Sequence, residues 1–345
     1  RHTRLVSDWS STCALPISQN LNWNVWDTGY KAPTIYQWNA AIQREIFPNL
    51  ALTIAYVGSS SNYLLDSYNW NGSYIGPPAT ERQRRKIPTW NNISFYSPFG
   101  QSNYHGLDLQ LERRYASGLY FSAAYTWSHS IDNIPEQFGP GGGGLMDFTN
   151  IDLNRGNSNF DVRHRFIAST AYELPIGKGK RWMNRGGILN AILGGWELSN
   201  LLAMQTGNYF TVTVPNAVNR LGATGIGNWW PDRIRDPRLS ERTSNRWFDT
   251  SAFASPITPQ GVWYLGNAGR AILNEDGLFN LDMGLKKSFP IGESRRIQVR
   301  WETFNLTNTP TLGTPTTNIE SPDFGTVRAT TSIPRQMQFA LRFEF

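Results

Sequence analysis

From residue 34 onward, apolar and polar residues alternate with a period of two, the pattern of strands that bury one face and wet the other. The clearest stretch is LYFSAAYTWSHSI at 119–131. Leu119, Phe121, Ala123, Tyr125, Trp127, His129 and Ile131 share one face, and Tyr120, Ser122, Ala124, Thr126, Ser128 and Ser130 share the other. Just before it, Leu107, Leu109 and Leu111 oppose Asp108, Gln110, Glu112 and Arg114, and only Ala116-Ser117-Gly118 separates the two runs. That spacing predicts a three-residue hairpin loop with glycine at its left-handed position. The split recurs at 34–46, 50–58, 161–174, 195–206, 278–289, 295–303 and 335–345, which makes nine long strands.

Strands of soluble sandwiches average five or six residues, whereas these run nine to fourteen. A strand of about eleven residues tilted near 45° rises roughly 25 Å, the height of an outer-membrane apolar band. The connections alternate as well. Short ones sit at 47–49, 116–118 and 290–294, with a medium one at 175–194; long ones sit at 59–102, 132–160, 207–277 and 308–334. Membrane barrels keep short turns on the periplasmic side and long loops outside. The expected fold is therefore all-β: an antiparallel transmembrane β-barrel portion of about nine to ten long strands, with Phe345 on the periplasmic side.

Composition narrows the picture. Fourteen Trp, fourteen Tyr and eighteen Phe in 345 residues argue against disorder. No run of eighteen apolar residues exists to form a transmembrane helix. Cys13 is the single cysteine, which excludes a disulfide framework. The net charge of +6 permits an anionic partner without requiring one. Residues 1–18, RHTRLVSDWSSTCALPIS, lack the apolar core of a secretory signal. They resemble the translation of a short-read sequencing adapter, so 1–18 is expected to be non-native and 19–345 to be the barrel.

The segments LALTIAYVGS, YHGLDLQLERRYASGLYFSAAYTWSHSID, NRGNSNFDVRHRFIASTAYELPIGKGKRW, GGWELSNLLAMQTGNYFTV, LFNLDMGLKKSFPIGESRRIQVRWETFNLTN and RQMQFALRFEF resemble, in this order, the C-terminal part of a TonB-dependent outer-membrane receptor. The likeness is greatest to the Oar-like receptors with a carboxypeptidase-regulatory-like domain. It implies uptake of a nutrient (siderophore, vitamin, oligosaccharide or peptide) across the bacterial outer membrane, energised by TonB through an N-terminal region not found here. It also implies contact with lipid and lipopolysaccharide, and a C-terminal signal for the barrel-assembly machinery at Phe339, Leu341, Phe343 and Phe345. Such barrels have about 22 strands, so nine would leave two open edges in lipid. The chain is expected to be a fragment.

Sites of other kinds find little support. His2, His105, His129 and His164 stand apart, without metal-ligand spacing. Asp152-Leu153-Asn154-Arg155-Gly156 lacks the carboxylate spacing of a calcium loop, and the glycines of 139–144 lack the Lys-Ser/Thr of a phosphate cradle. No cofactor and no catalytic constellation emerges. On the polar face Asp108, Glu112, Glu173, Asp282, Glu302 and Glu344 are matched by Arg114, Arg163, Arg165, Lys286, Arg300 and Arg342, which suggests a cross-strand ladder of ion pairs. The run Glu81–Lys86 reads as a solvated loop or a contact with lipopolysaccharide phosphates. In the 207–277 loop, Trp229, Trp230, Arg233, Arg235, Trp247 and Trp263 are candidates for capturing a small-molecule, glycan or peptide ligand; they are equally suited to packing the loop. Arginines alternating with acids leave no basic stripe for nucleic acid. The competing function is a secreted β-rich carbohydrate-binding module, which would stay soluble without detergent.

Overall fold

A computed structural model describes residues 22–134, 145–184, 186–224, 229–292 and 294–345. The 1–18 segment and the 139–144 glycines lie outside the described residues. Nine long strands form one up-and-down sheet in chain order. They are β1 (Thr34–Phe47), β2 (Leu50–Asn69), β3 (Ile93–Ala116), β4 (Leu119–Asp132), β5 (His164–Glu173), β6 (Trp196–Gln205), β7 (Leu278–Ile291), β8 (Arg295–Phe304) and β9 (Gln336–Glu344). Every neighbouring pair is antiparallel, and the sheet does not close: β1 and β9 are its edges. Short strands Trp23–Trp26 and Gly156–Asn157 join β3 and β4 at the side.

The alternation read from the sequence sets the register. Trp38, Gly58, His105 and His129 lie side by side across β1 to β4, as do Leu52, Leu111, Ala123 and Ala168 across β2 to β5. On this face Ile42, Ile54, Phe339 and Leu341 stand exposed, so the sheet turns an apolar surface outward instead of covering it. Two aromatic girdles frame that surface. Toward the long loops lie Trp38, Tyr56 and Trp127, with the Tyr56 hydroxyl 2.7 Å from His105 Nδ1 and the Tyr125 hydroxyl 2.8 Å from His164 Nδ1. Toward the short turns lie Phe47, Tyr115, Phe343 and Phe345. From Trp38 to Phe47 the strand covers about 30 Å at roughly 3.3 Å per residue; tilted, it matches a hydrocarbon layer.

Two details depart from the sequence reading. The connection expected over 59–102 is strand at both ends, because β2 runs to Asn69 and β3 begins at Ile93, which shortens the true loop to 70–92. Ser59-Ser60-Ser61-Asn62 looks like a turn, yet pairing continues past it through two register shifts. Beyond them Tyr68 packs on Phe95 and Phe99, with ring centroids 5.6 and 5.9 Å apart. The β3–β4 hairpin loop is also shorter than expected. Ala116 pairs with Leu119, leaving a two-residue turn in which both Ser117 and Gly118 have positive φ, 54° and 78°. That is the turn type whose twist suits a hairpin, and glycine takes its second position without strain.

The one hydrophobic core cluster of the described residues lies in the long loops. Met146, Phe210, Val212, Val214, Leu221, Trp229, Trp230, Trp247, Phe248, Phe253, Leu273 and Val327 pack together, drawn from three long loops at the same end of the sheet. A sheet whose apolar face is turned outward leaves the loops to build their own interior.

Candidate functional site

The cap made by these loops is where the candidate ligand residues fall. The structure brings four of the six together, as a packed interior. Trp229, Trp230 and Trp247 are almost fully buried, and Trp263 is half-buried against them. Trp229 Nε1 donates to Tyr264 O at 3.2 Å, and its ring meets Trp263 edge-on at 5.4 Å. Trp247 Nε1 donates to Asn274 O at 3.0 Å beneath the Arg242 guanidinium, 5.5 Å from the ring centroid. Phe248 packs against Phe210, Phe253 and Phe324 with centroids 5.2 to 5.9 Å away.

The two candidate arginines stay at the surface. Arg233 and Arg235 line a concavity of about 410 Å³ together with Ile234, Asp236 and Arg238. Arg235 Nε lies 3.0 Å from Asp249 Oδ2. The Ser251 hydroxyl and that guanidinium hold the Asp249 carboxyl below the usual carboxylate range. Trp263 borders a second recess of about 250 Å³ between three loop stretches, with Ile75, Pro77, Pro78, Arg220, Leu221 and Val262. The Arg220 guanidinium sits 4.6 Å over the Trp263 ring and 2.7 Å from Glu320 Oε2. Exposed aromatic and cationic groups at the rims, over a rigid interior, can hold a ligand by stacking and charge.

Polar clamps that sequence reasoning missed fix the cap to the sheet. Arg270 pairs with Asp132 at the end of β4, both side chains buried, and also donates to Ile134 O at 2.7 Å and Asp132 O at 2.8 Å. Asp161 accepts from Ser130 N at 2.7 Å and meets His129 Nδ1 at 3.0 Å and Arg163 Nε at 3.3 Å. Buried Asn71 organises the 70–92 loop: its amide donates to Ile87 O, Trp90 O and Asn91 O, and it accepts from Ile87 N at 2.8 Å. No periodicity marks such residues; apart from Asp132, the last residue of β4, they sit in loops, where only three-dimensional closure selects them.

The basic run behaves differently from its solvated reading. Arg84 donates to Tyr74 O, Pro77 O and Gly222 O, while Arg85 pairs with Glu81 at 2.7 Å. Lys86 lies 4.0 Å over the Trp70 ring. These cations satisfy loop carbonyls and faces that folding would otherwise leave unmet. The ion-pair ladder is only partly a ladder. Lys286–Glu197, at 2.8 Å, and Arg296–Glu344 cross between strands. Arg300–Glu302, at 3.3 Å, and Arg342–Glu344, at 3.1 Å, run along one strand. Asp108 accepts from the Thr126 hydroxyl at 2.6 Å, and Asp282 from Asn305 N at 2.9 Å.

With that geometry in place, a family model described as an outer membrane beta barrel domain matches residues 5–338. No protein of curated function matches the chain. Among solved structures, the outer membrane transporter YddB from Escherichia coli is similar at 12% identity and a TM-score of 0.48, over 95% of this chain and 34% of that one. The Pseudomonas aeruginosa FpvA structure with heterologous pyoverdines is similar at 11% and 0.44, over 90% and 27%. BauA, the ferric preacinetobactin receptor from Acinetobacter baumannii, is similar at 9% and 0.41, over 90% and 29%. The chain thus spans about a third or less of the length of these structures.

Proposed function

The chain belongs to the outer membrane beta barrel domain family, and on that premise we propose that it forms part of the wall and outer cap of an Oar-like, TonB-dependent receptor for nutrient uptake. The observation that carries this reading is a division of labour. An outward apolar face framed by aromatic girdles suits lipid, while the long loops are consolidated into a cap at one end of the wall. A wall that served only as a pore would not need a tryptophan-cored cap; a receptor needs a rigid surface on which rim groups are held in place. The short-turn end then faces the periplasm and the cap faces outward. TonB acts through a region outside this chain, and the exposed row Phe339, Leu341, Phe343 and Phe345 is what the assembly machinery reads. A secreted carbohydrate-binding module would leave Ile42, Phe339 and Leu341 in water, which weighs against it.

The rim groups are the proposed ligand contacts: Trp263, Arg233 and Arg235. Trp229, Trp230 and Trp247 support them from beneath. The test is binding of three probes, a ferric catecholate, cyanocobalamin and a malto-oligosaccharide, to the full chain in lipid. For a probe that binds, Trp263→Ala or the double variant Arg233→Ala/Arg235→Ala weakens affinity about tenfold, on the scale of a stacking or charged contact, and the fold stays intact. Trp229→Ala instead loosens the cap. Binding of no probe, or equal affinity in all rim variants, refutes the assignment of these contacts; solubility without detergent refutes the membrane-wall reading.

A further inference from the structure

The medium turn between β5 and β6 carries a short helix, α1 (Ile188–Leu193), lying over the apolar face of the sheet. Beneath it lies Lys287. Alternation along β7 puts it in the row of Leu285 and Phe289, where lipid is expected, and the register sets it beside Trp196 and Val299. A bare ammonium there would be costly. Yet Lys287 is buried, and its Nζ donates to Ala191 O at 2.6 Å, Ile192 O at 3.2 Å and Gly194 O at 2.5 Å. Those are the free carbonyls at the C-terminal end of α1, where a cation is favoured. Trp196 Nε1 donates to Ile192 O as well, at 2.9 Å. The helix is thereby clasped onto the outside of the wall.

Six residues are too few for a helix to persist unaided, and the clasp accounts for only one side of it. Asn190 turns inward, its Oδ1 accepting from Lys178 N at 2.7 Å. The opposite stripe is bare: Ile188 is 80% exposed, Leu189 65%, Ile192 57% and Leu193 46%. Trp182 and Met183 extend the exposed apolar surface. Lys178 and Arg181 are exposed beside it and make no salt bridge among the described residues. A bare aliphatic stripe, continuous with a lipid-facing wall and edged by cations, fits one surface: the headgroup and acyl boundary of a phospholipid leaflet.

We propose that α1 is an interfacial anchor, with Ile188, Leu189, Ile192 and Leu193 immersed in the phospholipid leaflet at the short-turn end while Lys178 and Arg181 engage anionic headgroups. The inference rests on the membrane-wall reading and on no particular ligand. The test uses the full chain with Cys13→Ser in vesicles of phosphatidylethanolamine and phosphatidylglycerol. Nitroxide labels are placed at Leu189→Cys, at Ile42→Cys on the apolar face and at Ser240→Cys on the cap. Collision rates with oxygen and with a water-soluble nickel chelate are then compared.

The expected result is that Leu189 resembles Ile42, favouring oxygen several-fold over nickel. The preference at Leu189 falls when phosphatidylcholine replaces phosphatidylglycerol, or in Lys178→Gln/Arg181→Gln. A nickel-accessible Leu189 beside a lipid-like Ile42 overturns the anchor. Shielding of Leu189 from both probes overturns it too, since a protein would then cover the stripe. Immersion indifferent to lipid charge overturns the role of Lys178 and Arg181. Water-like behaviour at both Leu189 and Ile42 refutes the membrane-wall reading instead.

Discussion

Single residues carry more of the cap's stability than its size suggests, because their groups are buried where water cannot replace a lost partner. Arg270 and Asp132 illustrate this. Arg270→Ala leaves a buried carboxylate without its cation, a change that costs about 3–5 kcal/mol, whereas replacing both partners by apolar residues of similar volume costs far less. Hydrogen exchange over 145–160 and 229–277 should therefore accelerate strongly in Arg270→Ala and much less in Asp132→Leu/Arg270→Met. Asp66 poses the opposite case. It lies in β2 well past the girdle residue Tyr56; its Oδ1 accepts from Ser67 N at 2.7 Å, and its buried Oδ2 has no partner. Burial pushes its carboxyl up to about 6 from 3.8. The folded chain then holds this proton over a window in which the unfolded chain has released it, so stability falls as pH rises from about 4 to about 6. Asp66→Asn should flatten that fall. Urea unfolding of the full chain in lipid across the window checks it, and an unchanged pH slope would assign the effect elsewhere. Neither aspartate was legible in the sequence, since nothing in the local pattern of IDN or LLDS announces burial.

At the scale of elements, legibility followed periodicity. All nine long strands stood out because lipid on one side and polar contacts on the other force every second residue to agree, and a slip of one position would invert both faces. Where that force stops, so does the pattern. The extensions of β2 and β3 past the girdle pair through serines and asparagines, and they read as loop. Lys287 shows a signal that was present and passed over: a cation in an apolar row needs a partner, and α1 supplies it. The cap tryptophans were visible as a cluster, but a cluster alone does not separate a packed interior from a binding surface; burial does, placing Trp229, Trp230 and Trp247 inside and leaving Trp263 at a rim. That interior is tightly closed. A Cβ on Gly266 would come within 2.4 Å of Trp230 O and Pro231 O, backbone atoms with no room to retreat. Gly266→Ala should thus loosen the cap while sparing the sheet. The expected signature is loss of near-ultraviolet tryptophan dichroism with the far-ultraviolet strand signal kept; loss of both would mean that cap and wall fold as one unit.

For the whole molecule, the governing fact is that the sheet has two edges. β1 offers fourteen residues along one side and β9 nine along the other. In an antiparallel ladder about half of an edge strand's backbone groups point away from its partner. In hydrocarbon each such group left unmet costs several kcal/mol, so in a bilayer these edges must be paired, by further strands or by a second copy of the chain. Neither edge carries a proline or a bulge that would block pairing over most of its length; the one irregularity of β1 lies at its end, between Glu45 and Phe47. Chemically, then, both edges are open to pairing, and on the proposed reading further strands of the wall would supply it. The arrangement predicts a contrast in hydrogen exchange. Peptides spanning 34–47 and 336–344 should be strongly protected when the chain is part of an assembled barrel in outer-membrane vesicles. They should exchange quickly in the chain refolded alone in detergent, while the central strands β4 to β6 stay protected in both. Equal protection of the edges in both states would mean that the isolated chain closes or pairs on itself, and the wall would then be complete in a way that its nine strands do not suggest.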